Sequence, residues 1–420
     1  MSLPPMLSSL RHHKLTAVLL ILQVAFTCAI VCNASFMIVQ RLWRIGVVSG
    51  LDEKTLSVVN VFDSSAVAQP LSVHQADLAM LRTMPGVQSA AIVSDLPLSG
   101  DQSSSGACGS LKAIHAAKAA RSVDVPGCAQ PEEYSGGTDV LHTLGLKLVA
   151  GRDFRADEYV GGKSGWAVSG APAVIISNDL VQRLFPKASA VGRSLYFGAA
   201  GFQGKGAPIV GVVEHLVRGK LVKDVDNDQS MLLPVAPADG YVRFVLRSRP
   251  ADRTGAIRAA VAKLAARVPG RTVSVASSTT YTQMRRDYFR HDTTMIGLLL
   301  ASALGLLFVT ALGIAGLASF WVQQRRRSIG IRRAIGATRG DILCYFQTEN
   351  FLIVSAGVLL GLLLALVLNL LLMRQYELPR LPLYYLPSGA RGLWSLGQLA
   401  VLGPALRAAA VPPVVATRSV

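Results

Sequence analysis

The sequence predicts a membrane α-helical protein with four transmembrane helices. Between the first two it predicts an outward-facing α+β domain with two βαβ-type halves and an inserted β-rich subdomain. Three observations point there. Of the 420 residues only 16% are charged and 51% are hydrophobic, with a mean hydropathy of +0.41, whereas soluble domains carry about 25% charged residues. The deficit is uneven: residues 41–290 hold 29 of the 42 Lys and Arg and 21 of the 25 Asp and Glu, so the flanks are almost free of acid. Within 41–290 a strand, helix, Pro-Gly stop and strand occur in that order twice. This composition excludes a single soluble enzyme, a disordered chain and a disulfide-stapled miniprotein.

In chain order, residues 1–14 form a cytoplasmic N-terminus and 15–40 the first span. Leu15–Gln40 has no formal charge and follows Arg11, His12, His13 and Lys14. It is too long for the roughly 7–15-residue core of a cleaved signal peptide. The outward domain follows at 41–290. Its first half, 50–96, reads as a strand at Thr55–Phe62, an amphipathic helix at Gln75–Met84, a stop at Pro85–Gly86 and a strand at Val87–Val93. Its second half, 239–280, reads as a strand at Tyr241–Arg247, a helix at Asp252–Val268, a stop at Pro269–Gly270 and a strand at Thr272–Ala276. The layout is that of two βαβ-type halves forming one layer, with 97–238 inserted between them. The insertion offers strands at Ala173–Ser177 and Ile209–Val213, a short helix at Asn178–Phe185, and Gly-rich turns at Gly161–Gly165 and Gly198–Gly206. Gly162-Lys163-Ser164 resembles the end of a phosphate-binding loop, but Asp157 stands where its first glycine is required.

The second span, 291–324, contains the uncharged run Thr293–Gln324, which exceeds the roughly 20 residues needed to cross and projects beyond the bilayer. A cytoplasmic segment, 325–349, leads to the third span, 350–373, a run of Leu, Val and Ile. A Pro-rich hairpin, 374–388, precedes the fourth, 389–411. That span centres on Gly392–Leu406 between Arg391 and Arg407, and an interfacial or re-entrant segment is its alternative. Residues 412–420 return to the cytoplasm. In the third span Gly357-x-x-x-Gly361 allows close helix packing, although a Leu/Gly-rich helix also gives this spacing by chance.

The net charge of +17 does not indicate nucleic acid. Its densest cluster, Arg325, Arg326, Arg327, Arg332, Arg333 and Arg339, abuts an apolar run, where cytoplasmic basic residues and anionic lipids are expected. The partners implied are membrane lipids and no nucleic acid. No G-x-S-x-G elbow, H-E-x-x-H motif or Cys–His pairing occurs, and the seven histidines are scattered, so no catalytic or metal residues are assigned. Cys108 and Cys128 lie in the outward domain and are a disulfide candidate, with two free thiols as the alternative.

The segment from Gln323 to Ile342 reads as a basic amphipathic helix along the cytoplasmic face, with a helix that merely anchors to lipid headgroups as the alternative. Ile329, Ile331, Ile335 and Ile342 supply its apolar contacts, and Gly336 allows a bend or close packing. Arg326-x-x-Ile329-Gly330-Ile331-Arg332-Arg333-Ala334-Ile335-Gly336-Ala337-Thr338, followed by Phe346, Glu349 and Asn350, resembles the signature of FtsX-like, MacB-type ABC transporter permeases. Leu81–Val87, Leu144–Phe154, Val191–Arg193, Ile209–Val213, Pro404–Ala409 and Pro412–Arg418 are also similar to elements of that family. The resemblance implies a bacterial inner-membrane protein whose large domain is periplasmic, with 50–96 and 239–280 as a porter-like subdomain and 97–238 as a second. It implies a dimer, either a homodimer or a related heterodimer, working with two copies of an ABC ATPase. That ATPase binds ATP and Mg, so no cofactor is expected in this chain, which is not catalytic alone. It docks on Arg325–Phe346 through Arg325, Arg326, Arg327, Ile329, Ile331, Arg332, Arg333, Ile335, Gly336, Arg339 and Asp341. Only 14 residues precede the first span, a departure from the fused macrolide-exporter arrangement. The expected function is coupling of ATP hydrolysis to movement of the periplasmic domain, for export of a peptide, drug-like or lipophilic substrate with a periplasmic adaptor (membrane-fusion) protein. The alternative is an FtsX-like regulatory permease that controls an envelope enzyme or sensor and transports nothing.

Overall fold

The computed structural model describes residues 14–63, 70–162, 171–186, 188–197, 206–223, 226–376, 382 and 384–410. The expected N-terminus through residue 13, the expected C-terminus from 411, Lys163–Ser164, the 198–205 turn and hairpin residues 377–381 and 383 lie outside them. The chain divides into two compact units, Val47–Arg290 and the combination of Met1–Gly46 with His291–Val420.

Helix α1 (Lys14–Ile45) is followed by β1 (Leu56–Phe62), α2 (Pro70–Arg82) and β2 (Val87–Val93). Next come β3 (Ala107–Cys108), α3 (Leu111–Ala120), β4 (Cys128–Ala129), β5 (Glu132–Ser135), α4 (Val140–Leu144), β6 (Leu148–Gly151) and β7 (Val160–Gly162). They lead to β8 (Val174–Ser177), α5 (Asn178–Leu184), β9 (Ser194–Phe197), β10 (Ala207–Val213), β11 (Ser230–Leu233) and β12 (Val235–Pro237). The domain closes with β13 (Tyr241–Ser248), α6 (Arg253–Arg267), β14 (Thr272–Thr280) and α7 (Tyr281–Tyr288). The remaining helices are α8 (Arg290–Gln324), α9 (Arg326–Ala334), α10 (Arg339–Tyr376) and α11 (Tyr385–Ala409).

In Val47–Arg290 a four-stranded sheet runs β14–β1–β13–β2 with every neighbour antiparallel. Both expected halves share this sheet, but not as two side-by-side units. β13 lies between the strands of the first half, and β1 between those of the second, so the halves interlock as a split βαβ pair. Successive strand residues point to opposite faces. Val59, Val61, Ala90, Ile92, Val242, Phe244 and Leu246 meet Leu78 and Leu81 of α2 and Ala260 and Leu264 of α6. Leu56, Val58, Ala91, Val93 and Val245 share a core with Tyr134, Val140, Leu144, Ile175 and Leu232 of the insertion. Each such Val or Leu contributes about 1.5–3 kcal/mol by leaving water. Burial on both faces explains why β1 is buried from Leu56 to Val61 although its sequence only partly alternates.

The insertion is a mixed sheet ordered β4–β3–β9–β10–β8–β11–β5, with β6 also against β10 and a separate β7–β12 pair. β8 pairs parallel with β10, and β5 with β11. Cys108 and Cys128 face each other across β3 and β4, with Cα atoms 4.1 Å apart, and are joined as a disulfide.

Among the described residues of the other unit, three helices are long and apolar enough to cross a membrane, at Leu15–Ile45, Arg290–Gln324 and Arg339–Leu371. α1 runs past the expected end at Gln40, and its Arg41 pairs with Asp292 in the first turn of α8. The expected third span lies inside the longer α10. Small residues bring α1 and α10 together. A Cβ on Gly357 would meet Val24 Cβ at 2.7 Å, and one on Gly361 would meet Cys28 Cβ at 2.5 Å and the Ala25 carbonyl at 2.7 Å. With no hydrophobic force between helices in lipid, such close approach lets dispersion and polar contacts hold the pair. Asn33 adds a hydrogen bond from Nδ2 to the Ala365 carbonyl at 3.2 Å.

Candidate docking segment

The expected cytoplasmic helix is two elements joined by a turn. α9 ends at Ala334. Gly336 then adopts φ +105°, its N–H bonds the Arg333 carbonyl at 3.2 Å, and the Ala337 N–H bonds the Arg332 carbonyl at 3.0 Å. These two bonds form a Schellman C-cap, which favours glycine because a Cβ strains this conformation. Nothing lies within 4 Å of a Cβ built at Gly336, so its role is conformational and not the close packing also expected for it. Thr338 starts α10: its hydroxyl accepts the Asp341 N–H at 3.2 Å, and the Asp341 carboxylate accepts the Thr338 N–H at 2.9 Å. This is a reciprocal cap. Asp341, expected at the docking surface, therefore has a local structural task.

The inner face of the segment belongs to the helical core. Ile329, Ile342 and Phe346 are buried with Trp321, Val322 and Val401. Arg325 Nη1 binds the Glu349 carboxylate at 2.8 and 3.2 Å, and Glu349 is only 2% exposed. Arg333 Nη1 donates to the Ala409 carbonyl in the last turn of α11 at 3.3 Å, where a cation opposes the negative helix end. Of the expected docking residues, Arg325, Ile329 and Arg333 thus hold the segment to its own unit.

The outer face presents Arg326, Arg327, Ile331, Arg332, Ile335 and Arg339 to solvent. Ile331 is 46% exposed and Ile335 81%. The Arg332 guanidinium lies 5.1 Å from the centre of the Tyr345 ring, a cation–π contact that steadies it. Two exposed isoleucines ringed by arginines offer an apolar contact with an acid-complementary rim.

The sequence alone places Glu349 just beyond the signature without assigning it to the docking site, and it does not single out Trp321. The scarcity of acid in the flanks is the signal that marks Glu349: an acid retained there needs a partner.

The outward domain contains two buried charge networks. Asp63 and Asp77 hold Arg271 at 2.6–2.9 Å; Asp63 also meets His74 Nε2 at 3.0 Å, and Asp77 meets Arg267 at 2.8 Å. Burial pushes the Asp63 carboxyl up, but Arg271 and His74 more than offset this and leave it below the usual range. In the second network Glu132 accepts the Ser103 N–H at 2.8 Å and has Arg218 at 3.6 Å, while Arg243 pairs with Asp95 at 2.6 Å and with Asp101. Burial pushes Glu132 up to about 7, opposed by the Ser103 amide and Arg218 and reinforced by Asp95 and Glu133. Among the described residues no group of three or more His, Cys, Asp or Glu is placed to hold a metal ion.

The MacB-like periplasmic core domain model matches residues 46–264, and the FtsX-like permease C-terminal model matches residues 300–413. The macrolide export ATP-binding/permease protein MacB of Nitrobacter winogradskyi is 28% identical over 211 residues, covering 48% of this chain and 31% of that one. For the MacB of Chromobacterium violaceum the values are 26% over 248 residues, 54% and 34%. The chain thus spans well under two thirds of these relatives. The uncharacterized ABC transporter permease YknZ of Bacillus subtilis is 26% identical over 227 residues, 53% of each chain. Among solved structures, the periplasmic region of MacB from Actinobacillus actinomycetemcomitans aligns with 58% of this chain and 97% of that one, at 13% identity and a TM-score of 0.34.

Proposed function

The chain belongs to the family of ABC transporter permeases with a MacB-like periplasmic core and an FtsX-like C-terminal module, and from that premise we propose that it is a force-transmitting subunit driven by a separate ATPase. The observation that carries this reading is the two-faced coupling segment. Its inner face is tied to the helical unit through Arg325–Glu349, Arg333 and Ile329, while its outer face leaves Ile331, Ile335 and four arginines open. A segment built this way can be gripped on one side and pull on the other.

In this reading two ATPase copies bind ATP and Mg, dock on the outer face of two permease copies, identical or related, and displace the segment as they close. α11 crosses the inner membrane as a fourth span and places the segment in the cytoplasm. The displacement passes through the helices to the periplasmic domain, which handles a peptide, drug-like or lipophilic cargo together with an adaptor protein. Lipid headgroups meet the arginines that the ATPase leaves uncovered.

The test is affinity purification of the full chain in mild detergent. The wild type is expected to bring down an ABC ATPase. The triple variant Arg326→Glu, Arg327→Glu and Ile335→Asp is expected to lose it at least tenfold, about 1.4 kcal/mol of binding, with an unchanged melting profile. Full recovery of the ATPase with the triple variant would show that the outer face is not the dock. Recovery of an envelope hydrolase or sensor kinase in place of an adaptor would favour the regulatory role.

A further inference from the structure

Where α8, α10 and α11 meet beside the coupling segment, the helical unit holds a small cavity of about 10 Å³, lined by Ala318, Trp321, Phe346, Glu349, Asn350 and Val401. That is the space a single water molecule needs. Its wall is apolar except at three side chains. Trp321 is 6% exposed, and its Nε1–H is buried with no hydrogen-bond partner among the described residues. The Glu349 carboxylate holds Arg325 on one side, and Asn350 donates its Nδ2–H to the Gly397 carbonyl at 2.9 Å. Native interiors rarely leave a buried indole N–H unsatisfied, and a small cavity with a few polar side chains in its wall is the setting in which ordered water is found.

We propose that this cavity is a built site for one water molecule, which accepts the Trp321 Nε1–H and donates to the Glu349 carboxylate. A carboxylate has about four acceptor positions, so it can hold Arg325 and accept a water's proton at once. A cation has little claim on the site, because the Arg325 guanidinium already balances Glu349. Any larger polar ligand exceeds the volume.

The water completes a chain from Arg325 through Glu349 to Trp321. It thereby joins the last turn of α8 to α10 at the point where α9 begins. Arg325 and Glu349 are then positioning residues that set the angle at which the coupling segment leaves the bundle. The water site rests on the cavity and its polar wall alone; its value as a rigid joint rests on the docking reading given above.

The test needs only the full chain in detergent. Ala318→Val fills the cavity. If the water is present, this change evicts it, orphans the indole N–H and lowers the melting midpoint by about 3 °C. In a Trp321→Phe background no N–H needs a partner, and the same filling is expected to be neutral or to raise the midpoint. A second measurement does not depend on the filled variant folding. With Trp43, Trp166 and Trp394 replaced by Phe, the Trp321 indole proton should show a nuclear Overhauser contact to water. A dry cavity would give no such contact, and Ala318→Val would stabilise both backgrounds; either result overturns the proposal. No ATPase enters these measurements, so failure here leaves the docking test standing, and failure there leaves the water site standing.

Discussion

Glu132 is fully buried on β5, with one amide donor at 2.8 Å and its arginine no closer than 3.6 Å. Its folded pKa, about 7, lies above the ordinary 4.5. A group whose pKa rises on folding binds more protons when folded, so its contribution is fully present below pH 4.5 and is lost as the pH climbs to 7. The shift corresponds to about 3 kcal/mol at most. Asp63 has the opposite sign and loses its contribution as the pH falls. Glu132→Gln should flatten the fall in melting midpoint between pH 5 and 7.5; a variant with the wild-type slope would show that other groups carry it. Gly336→Ala should cost about 1 kcal/mol through its positive φ alone and speed amide exchange across 326–342 without affecting 47–290. The arginine cluster was legible because a charge run beside an apolar run is a local pattern. Which arginines turn inward was not, since that depends on Glu349 and the end of α11, both remote in sequence. Acid placement in the flanks is a guide to structure: the described flank acids, Asp292, Asp341 and Glu349, engage Arg41, Thr338 and Arg325 respectively.

Helix pairing in the membrane unit depends on missing side chains. Gly361→Ala should cost about 1–3 kcal/mol by forcing α10 off α1. Gly305→Ala on α8 has nothing within 4 Å of the new carbon and should be neutral or stabilising by up to about 1 kcal/mol. Equal effects in detergent melts would mean that α1–α10 contact does not hold the bundle. On the outward domain, Cys108→Ser with Cys128→Ser should cost about 3 kcal/mol by the chain-entropy argument for a loop of this size. Mobility on non-reducing gels reports whether the bond forms in the cell. The two strand–helix–strand halves were readable because each ends at a Pro-Gly stop. Their interlocking was not, because pairing partners come from distant strands with near-identical apolar patterns. The short strands of the insertion were mostly missed for a related reason: β3, β4 and β7 are too brief to show a period.

At the level of the whole chain, the order in which partners emerge has a consequence for biogenesis. Leu56 of β1 is matched to Arg247, and Val61 to both Val242 and Val273. The first strand of the domain therefore has no neighbour until nearly all of the domain has been synthesised and translocated. During that interval an apolar strand with open backbone edges is exposed, the condition that favours wrong pairing. Closing so large a loop adds only modestly to the final stability cost but slows the search. Chains released at residue 238 should be cleaved rapidly by protease within 56–93, whereas chains extended to 290 should be protected there; equal protection would mean that the first half is stable alone. The interlock that makes the finished sheet one indivisible body thus leaves its nascent form with open edges until the last two strands arrive.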